Sequence, residues 1–395
     1  VVAEMDVDFR TEKVEIFNEV WQAQNLGFYD PKFHGTDWKK VHEQYEPLAN
    51  GASTPEELRR LLNLMVGELN ASHSGVSGPA AGAGFVTGKT GLRFNSKEYE
   101  TNGNFKIDEV INLSPASLMG NIKTGEYLIA IDDKKLEVSD NIDLLLANKI
   151  GKRVALTIAS SPSGGSSRKV FISPVSLATE KGLLYKQWVN QQREYVSKIS
   201  NGQLGYVHML DMSEGSLNQL YLDMDAENHS RKGVVVDIRN NNGGFVNPYA
   251  LDVISRKNYL TMTGRGMPSA PARVQLGQRA LDAPTILLIN QHSLSDAEDF
   301  TEGYRALGLG KVVGEPTAGW IVFTSSVQLI DGSAVRLPFS RIDDHEGKNM
   351  ELVPRKVDIP VTLQLGEGPA KDSQLDVAVK ELLGQLDKPT TRKGE

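Results

Sequence analysis

A serine at the junction of an apolar strand and a helix can do acyl-transfer chemistry, and residues 286–300 supply one. They read Ile-Leu-Leu-Ile-Asn-Gln-His-Ser-Leu-Ser-Asp-Ala-Glu-Asp-Phe, so an apolar run passes through a polar turn and a helix begins just after Ser295. The carboxyl end of such a strand is where open α/β sheets hold ligands. The helix amino terminus adds free N–H groups and a positive partial charge, both suited to an oxyanion. Taken alone, Ser295 with Glu298 three residues on is also a capping box, and that plainer reading comes first.

Three further segments bear on the choice. Residues 237–244 read Asp-Ile-Arg-Asn-Asn-Asn-Gly-Gly after a second apolar strand, and Gly243-Gly244 either aims a backbone N–H at a ligand or simply makes a turn. Ser72-His73 sits in a turn after a helix, and a loop histidine titrates in the range a general base needs. His292, close to Ser295 in sequence, is the rival base. Glu351, in Asn349-Met-Glu-Leu-Val-Pro, reads by itself as a solvated surface carboxylate. No HExxH or comparable ligand spacing occurs, which argues against metal hydrolysis, and no P-loop or GxGxxG pattern marks a nucleotide site.

The elements that must position these groups fall into three stretches. From Thr11 to Leu26, Val14, Phe17, Val20, Trp21 and Leu26 recur near helical spacing and predict one buried stripe. Thr54-Pro55 with Glu57 starts a second helix with Leu58, Leu61, Leu62, Met65 and Leu69 inward, ending near Asn70. Residues 79–84 are small and flexible and read as a linker. Then come short strands at 110–113, 127–131, 154–159 and 169–172, a short helix over 141–148, and a loop tip at 160–167, together a β-rich module. Beyond about residue 183, strands at 205–210, 233–239, 285–290 and 311–314 alternate with helices at 246–256 and 296–307, the pattern of a covered parallel sheet. The charged tail after Leu386 reads as frayed.

Composition narrows the class. With 395 residues, two or three domains are expected, and 39% apolar with 24% charged residues is a globular balance. A net charge of −7 without a basic cluster argues against nucleic acid as partner, and no apolar run approaches the ~20 residues of a membrane span. The absence of cysteine excludes a thiolate nucleophile and disulfides. The chain opens Val-Val-Ala-Glu with no charged-then-apolar leader, which reads as a fragment with further domains upstream.

Together these pieces resemble the catalytic half of the tricorn protease family, over essentially the whole chain. Trp21, Phe28-Tyr-Asp-Pro31, His34-Gly-Thr-Asp-Trp38 and Tyr45-Glu-Pro47 resemble its helical subdomain, which ends in a Ser-His pair, here Ser72-His73. Ser114-Pro-Ala116, Ile122-Lys-Thr-Gly125 and Tyr127-Leu-Ile-Ala-Ile-Asp132 resemble the core of a PDZ-like module. The resemblance implies an α/β fold: a Clp/crotonase-like spiral of βαβ units with a small N-terminal helical subdomain (1–78), an inserted PDZ-like β-rich domain (85–178), an α/β catalytic subdomain (183–386) and a tail (387–395). It further implies a serine endopeptidase or oligopeptidase acting through an acyl-enzyme, with Ser295 as nucleophile, His73 as base, and Ser72 and Glu351 as supporting groups. The oxyanion hole is then Asp296 with Gly243 and Gly244. No metal or other cofactor is implied. Peptides are the substrates, no membrane partner is expected, and a ring-like homo-oligomer such as a hexamer in the cytoplasm follows by resemblance, although an exported protein with a lost leader would look the same. Upstream β-propellers belong to the family's longer chains. The related carboxy-terminal processing peptidases use a Ser-Lys dyad, which Lys311, at the start of a predicted strand, does not fit. Two other classes stay open: a non-catalytic peptide- or ligand-binding module on the same scaffold, and a crotonase-like acyl-CoA enzyme.

Overall fold

The computed structural model describes residues 8–79, 84–227, 230–272, 283–368 and 370–387. The chain divides after residues 80 and 192 into two compact units, one holding both ends and the other the stretch between. The first helix, α1 (Phe9–Gly27), starts where the Asp8 carboxylate accepts the Arg10 N–H, and buries Ile16, Phe17, Val20 and Gln24. Leu26, expected on that stripe, is 77% exposed, because it lies about 200° around the helix from Gln24. Next come α2 (Trp38–Gly51) and α3 (Pro55–Gly67). Thr54 caps α3 by accepting the Glu57 N–H, but the Glu57 carboxylate reaches one residue further back than in the usual box and takes the Ser53 N–H. The three helices close over Phe17, Val20, Trp38, Leu58, Leu62 and Met65. Truncating a side chain as buried as Met65 to Ala costs about 2–5 kcal/mol. The short strand β1 (Gly75–Ser77) follows the Ser72-His73 turn.

The second unit is antiparallel. Strands β2 (Leu92–Phe94) and β3 (Ile107–Val110) pair with each other. A four-stranded sheet is built from β4 (Tyr127–Ile131), β5 (Lys134–Lys135), β6 (Val154–Ala159) and β7 (Ser167–Ile172), in the order β5-β4-β6-β7. Alternate residues Val154, Leu156 and Ile158 are fully buried in its core. The strand expected at 110–113 lies earlier. Leu113 instead sits in a turn at φ 58°, because Ser114 caps the helix Pro115–Leu118 immediately behind it. The helix expected over 141–148 is confined to Ile142–Leu145. Helix α4 (Leu177–Ile199) runs across the division between the units.

Beyond it the first unit resumes as a parallel sheet. Its strands are β8 (Leu204–His208), β9 (Gly233–Asp237), β10 (Thr285–Ile289) and β11 (Val312–Gly314), interleaved with α5 (Glu214–Leu222), α6 (Asn247–Ser255) and α7 (Asp296–Ala306). An antiparallel pair, β12 (Phe323–Gln328) and β13 (Ala334–Ser340), takes up β1 in the order β1-β13-β12. Finally β14 (Ile359–Pro360) completes the parallel sheet, in the order β14-β11-β10-β9-β8, and α8 (Ser373–Leu386) closes the described chain. Val234–Val236 and Ile286–Ile289 are wholly buried, as strands covered on both faces must be. Adjacent and parallel, β9 and β10 deliver the loops at 238–244 and 290–295 to the same sheet edge. Those loops are laced together: Leu294 N–H donates to Asn241 O (2.8 Å), Asn240 N–H to Asn290 Oδ1 (2.9 Å) and Ser293 Oγ to Ile238 O (2.8 Å).

Candidate active site

The laced loops bring Ser295 against Gly243. A Cβ built on Gly243 (φ 86°) would lie 2.6 Å from Ser295 Cβ, 2.7 Å from Leu294 O and 2.9 Å from Asp296 N, so only glycine fits there. Gly244 is equally constrained, since its Cβ would meet Met212 O at 2.0 Å. The Gly243 N–H donates to Asn241 Oδ1 (2.9 Å). The N–H groups of Gly244 and Asp296 have no acceptor among the described residues.

Ser295 stands at the N-cap position of α7 but does not cap it with its hydroxyl. Its side chain makes no cap hydrogen bond, and its backbone holds φ 56°, ψ −124°, a conformation strained for any residue with a Cβ. The other half of the supposed capping box has also gone elsewhere. Glu298, fully buried, accepts the Thr317 hydroxyl (2.7 Å), Gly319 N–H (3.1 Å) and Trp320 N–H (2.6 Å), and so fixes the loop before β12. Burial pushes its carboxyl up from the ordinary value, against the pull of those donors. Nearby Asp299 is pushed up to about 7 by burial and then by the charges of Asp296 and Glu298.

Ser72 and Glu351 meet. The Ser72 hydroxyl donates to Glu351 Oε2 (3.0 Å) and the Ser72 N–H to Oε1 (2.6 Å), while Ile321 and Val322 N–H each donate to Oε2 (3.1 Å). Glu351 is 5% exposed, so the expectation of a solvated carboxylate is overturned. Its four donors compensate for removing a charge from water.

His73, at φ 58°, stands edge-on to the Trp320 ring with 6.5 Å between centroids. The Ser295 N–H donates to Trp320 O (2.8 Å), so one residue touches both groups. His73 Nε2 is buried and has no hydrogen-bond partner among the described residues, so no hydrogen bond joins it to the Ser295 hydroxyl. The His73 pKa is lowered, first by burial and then by the Arg336 cation, with Glu351 and the Trp320 backbone acting the other way. A neutral imidazole, the form able to take a proton, is thereby favoured.

Beside His73 opens a cleft of about 940 Å³, lined among others by Ser72, Phe245, Trp320, Thr324 and Arg336, but not by Ser295 itself. Trp320, 47% exposed, belongs to this wall rather than to the core. The rival His292 lies exposed on the 290–293 turn. Lys311 is paired with Glu381 (2.7 Å) at the start of β11. The described residues include no group of three or more His, Cys, Asp or Glu able to hold a metal, and no helix long and apolar enough to cross a membrane. Sequence reasoning missed Glu298, Asn241 and Arg336. For Glu298 the signal was present but had been assigned to a cap.

Residues 203–361 match peptidase family S41, and residues 9–67 match the tricorn protease C1 domain. Tricorn protease homolog 1 of Streptomyces coelicolor is 29% identical over 387 residues, which cover 94% of this chain and 35% of that protein. The tricorn protease of Thermoplasma volcanium is 27% identical over 352 residues, or 86% of this chain and 32% of that one. The crystal structure of the tricorn protease superposes with a TM-score of 0.83 at 24% identity, over 97% of this chain and 37% of that one, a likeness of fold. The chain thus spans about a third of the length of these relatives.

Proposed function

We propose that this chain, which is similar to the tricorn-type serine peptidases of family S41, cleaves peptide bonds with Ser295 as nucleophile and His73 as general base. In this reading His73 Nε2 takes the hydroxyl proton as Ser295 Oγ attacks the scissile carbonyl, and then gives that proton to the departing amine. Water, deprotonated by the same imidazole, resolves the acyl-enzyme and frees the acid. The developing oxyanion is held by the Asp296 N–H at the start of α7 and by the glycine turn, where the Gly244 N–H is open and the Gly243 N–H becomes so once Asn241 releases it. Ser72 positions His73, and Glu351 positions Ser72.

The observation that carries the proposal is the backbone of Ser295, strained and with its side chain unused by the helix it precedes. Strain of about 1–3 kcal/mol is retained where it serves a reaction. The test is labelling by a fluorophosphonate: the chain is modified at Ser295, and Ser295→Ala loses both labelling and peptide hydrolysis while keeping its circular dichroism spectrum. Label retained by the variant would remove Ser295 from the mechanism.

The reading extends to two finer points. The second unit is a PDZ-like module that receives peptide in its own cleft, lined by Thr90, Leu92, Phe94, Phe105 and Leu146. A homo-oligomer accords with the exposed apolar side chains Phe245, Tyr249, Tyr259, Leu260 and Met267, all within one stretch; sedimentation of a monomer at micromolar concentration would count against it.

A further inference from the structure

Among the described residues lining the cleft beside His73, one side chain carries a permanent charge: Arg336. Sequence alternation along β13 sends Val335 and Leu337 into the core and Arg336 to the opposite face. There Arg336 lies directly across from Gly75 of β1 and Ser326 of β12. Glycine, two residues along the chain from His73, on one side and serine on the other leave the guanidinium uncrowded. Its Nε donates to the Thr324 hydroxyl (2.9 Å), and no carboxylate pairs with it among the described residues. Burial alone perturbs its pKa, downward, with no anion to hold it up. An exposed guanidinium on the cleft wall without a counter-charge among the described residues, in a protein of net charge −7, lacks the bidentate partner its geometry suits.

We propose that Arg336 binds a carboxylate of the substrate, so that the cleft beside His73 selects peptides presenting an anionic group there. The proposal rests on the peptidase reading for its consequence, but not for its test. Two sources share this chemistry: an acidic side chain, and the free carboxyl terminus of a short peptide.

Binding is measured on the Ser295→Ala protein, which cannot turn the peptides over. Three fluorescent series of one sequence are titrated: neutral with an amidated end, amidated with a single Glu walked along it, and neutral with a free carboxyl terminus. A carboxylate-bearing series binds at least about tenfold more tightly than the neutral one, as a charge-assisted pair supplies. Which series does so identifies the source. The preference disappears in Ser295→Ala/Arg336→Gln and returns in part with Arg336→Lys. In the active chain, Arg336→Gln raises KM for the preferred peptide about tenfold and leaves kcat within a few-fold. Equal affinity of all three series, or an equal loss for all of them on Arg336→Gln, overturns the proposal. Carboxylate-selective binding by a chain that cleaves nothing upholds Arg336 and refutes the peptidase reading instead.

Discussion

Glu351→Gln is the sharpest probe of how the proposed base is held. The carboxylate accepts four donors, three at Oε2 and one at Oε1. An amide has a single oxygen, and its best orientation keeps that oxygen at Oε2 for Ser72 Oγ, Ile321 N–H and Val322 N–H. The new NH₂ then faces the Ser72 N–H at a site 2.6 Å away, donor against donor. Stranding one buried donor costs about 1–3 kcal/mol, and the three remaining bonds weaken from charged to neutral. Relief of the buried charge offsets part of this, so a net destabilisation of about 1–3 kcal/mol is expected. Pushed off its partner, Ser72 carries His73 with it, and misplacement by about 1 Å costs on the order of a hundredfold in rate. Thermal unfolding and kcat/KM on a peptide are measured for Glu351→Gln, Ser72→Ala and the double variant. Ser72→Ala removes only the 3.0 Å bond and is the milder change, and the cycle yields a coupling of about 0.5–3 kcal/mol. Glu351→Gln with wild-type melting and activity would refute the chain of support from Glu351 through Ser72 to His73.

Gly243→Ala drives a methyl into Ser295 and the Leu294 carbonyl and lowers kcat/KM by a hundredfold or more on the order-of-magnitude scale for misplaced groups, whereas Gly347→Ala, at φ 78° with nothing within 4 Å, costs only about 1 kcal/mol in melting and no activity. His73→Ala abolishes hydrolysis and the exposed His292→Ala does not; equal activities would transfer the role of base. Since burial and Arg336 lower the His73 pKa, the neutral base persists below the ordinary histidine value of about 6.5, and the acid limb of kcat/KM lies under it. The sign for stability is the same: the unfolded chain binds this proton more readily, so its contribution is present above about 6.5 and is lost as pH falls from there through the lowered folded value. Arg336→Gln removes the second cause and moves the acid limb to higher pH; a limb that moves lower would contradict the assigned influence.

Much of the frame could be read directly, because strands buried on both faces must be continuous apolar runs, and Val234–Val236 and Ile286–Ile289 have no other use. The Thr54-Pro55 start of α3 was equally legible, since a cap is a local transaction among neighbours. What stayed hidden was tertiary. Glu351 looks solvated until Ser72, Ile321 and Val322 converge on it. Glu298 looks like a cap partner until Thr317, Gly319 and Trp320 claim it. Leu113 continues an apolar strand on paper, but Ser114-Pro115 starts a helix and turns the chain first. In each case the deciding partner is supplied by packing or by a competing local signal that periodicity does not weigh.

The bond from Ser72 to Glu351 spans 279 positions of sequence. At the roughly 5–20 residues per second of synthesis, the turn bearing Ser72 and His73 leaves the ribosome well before the carboxylate that Ser72 bonds has been made. On the proposed reading, a chain that cuts polypeptides therefore stays blunt for as long as it is itself an unfinished polypeptide.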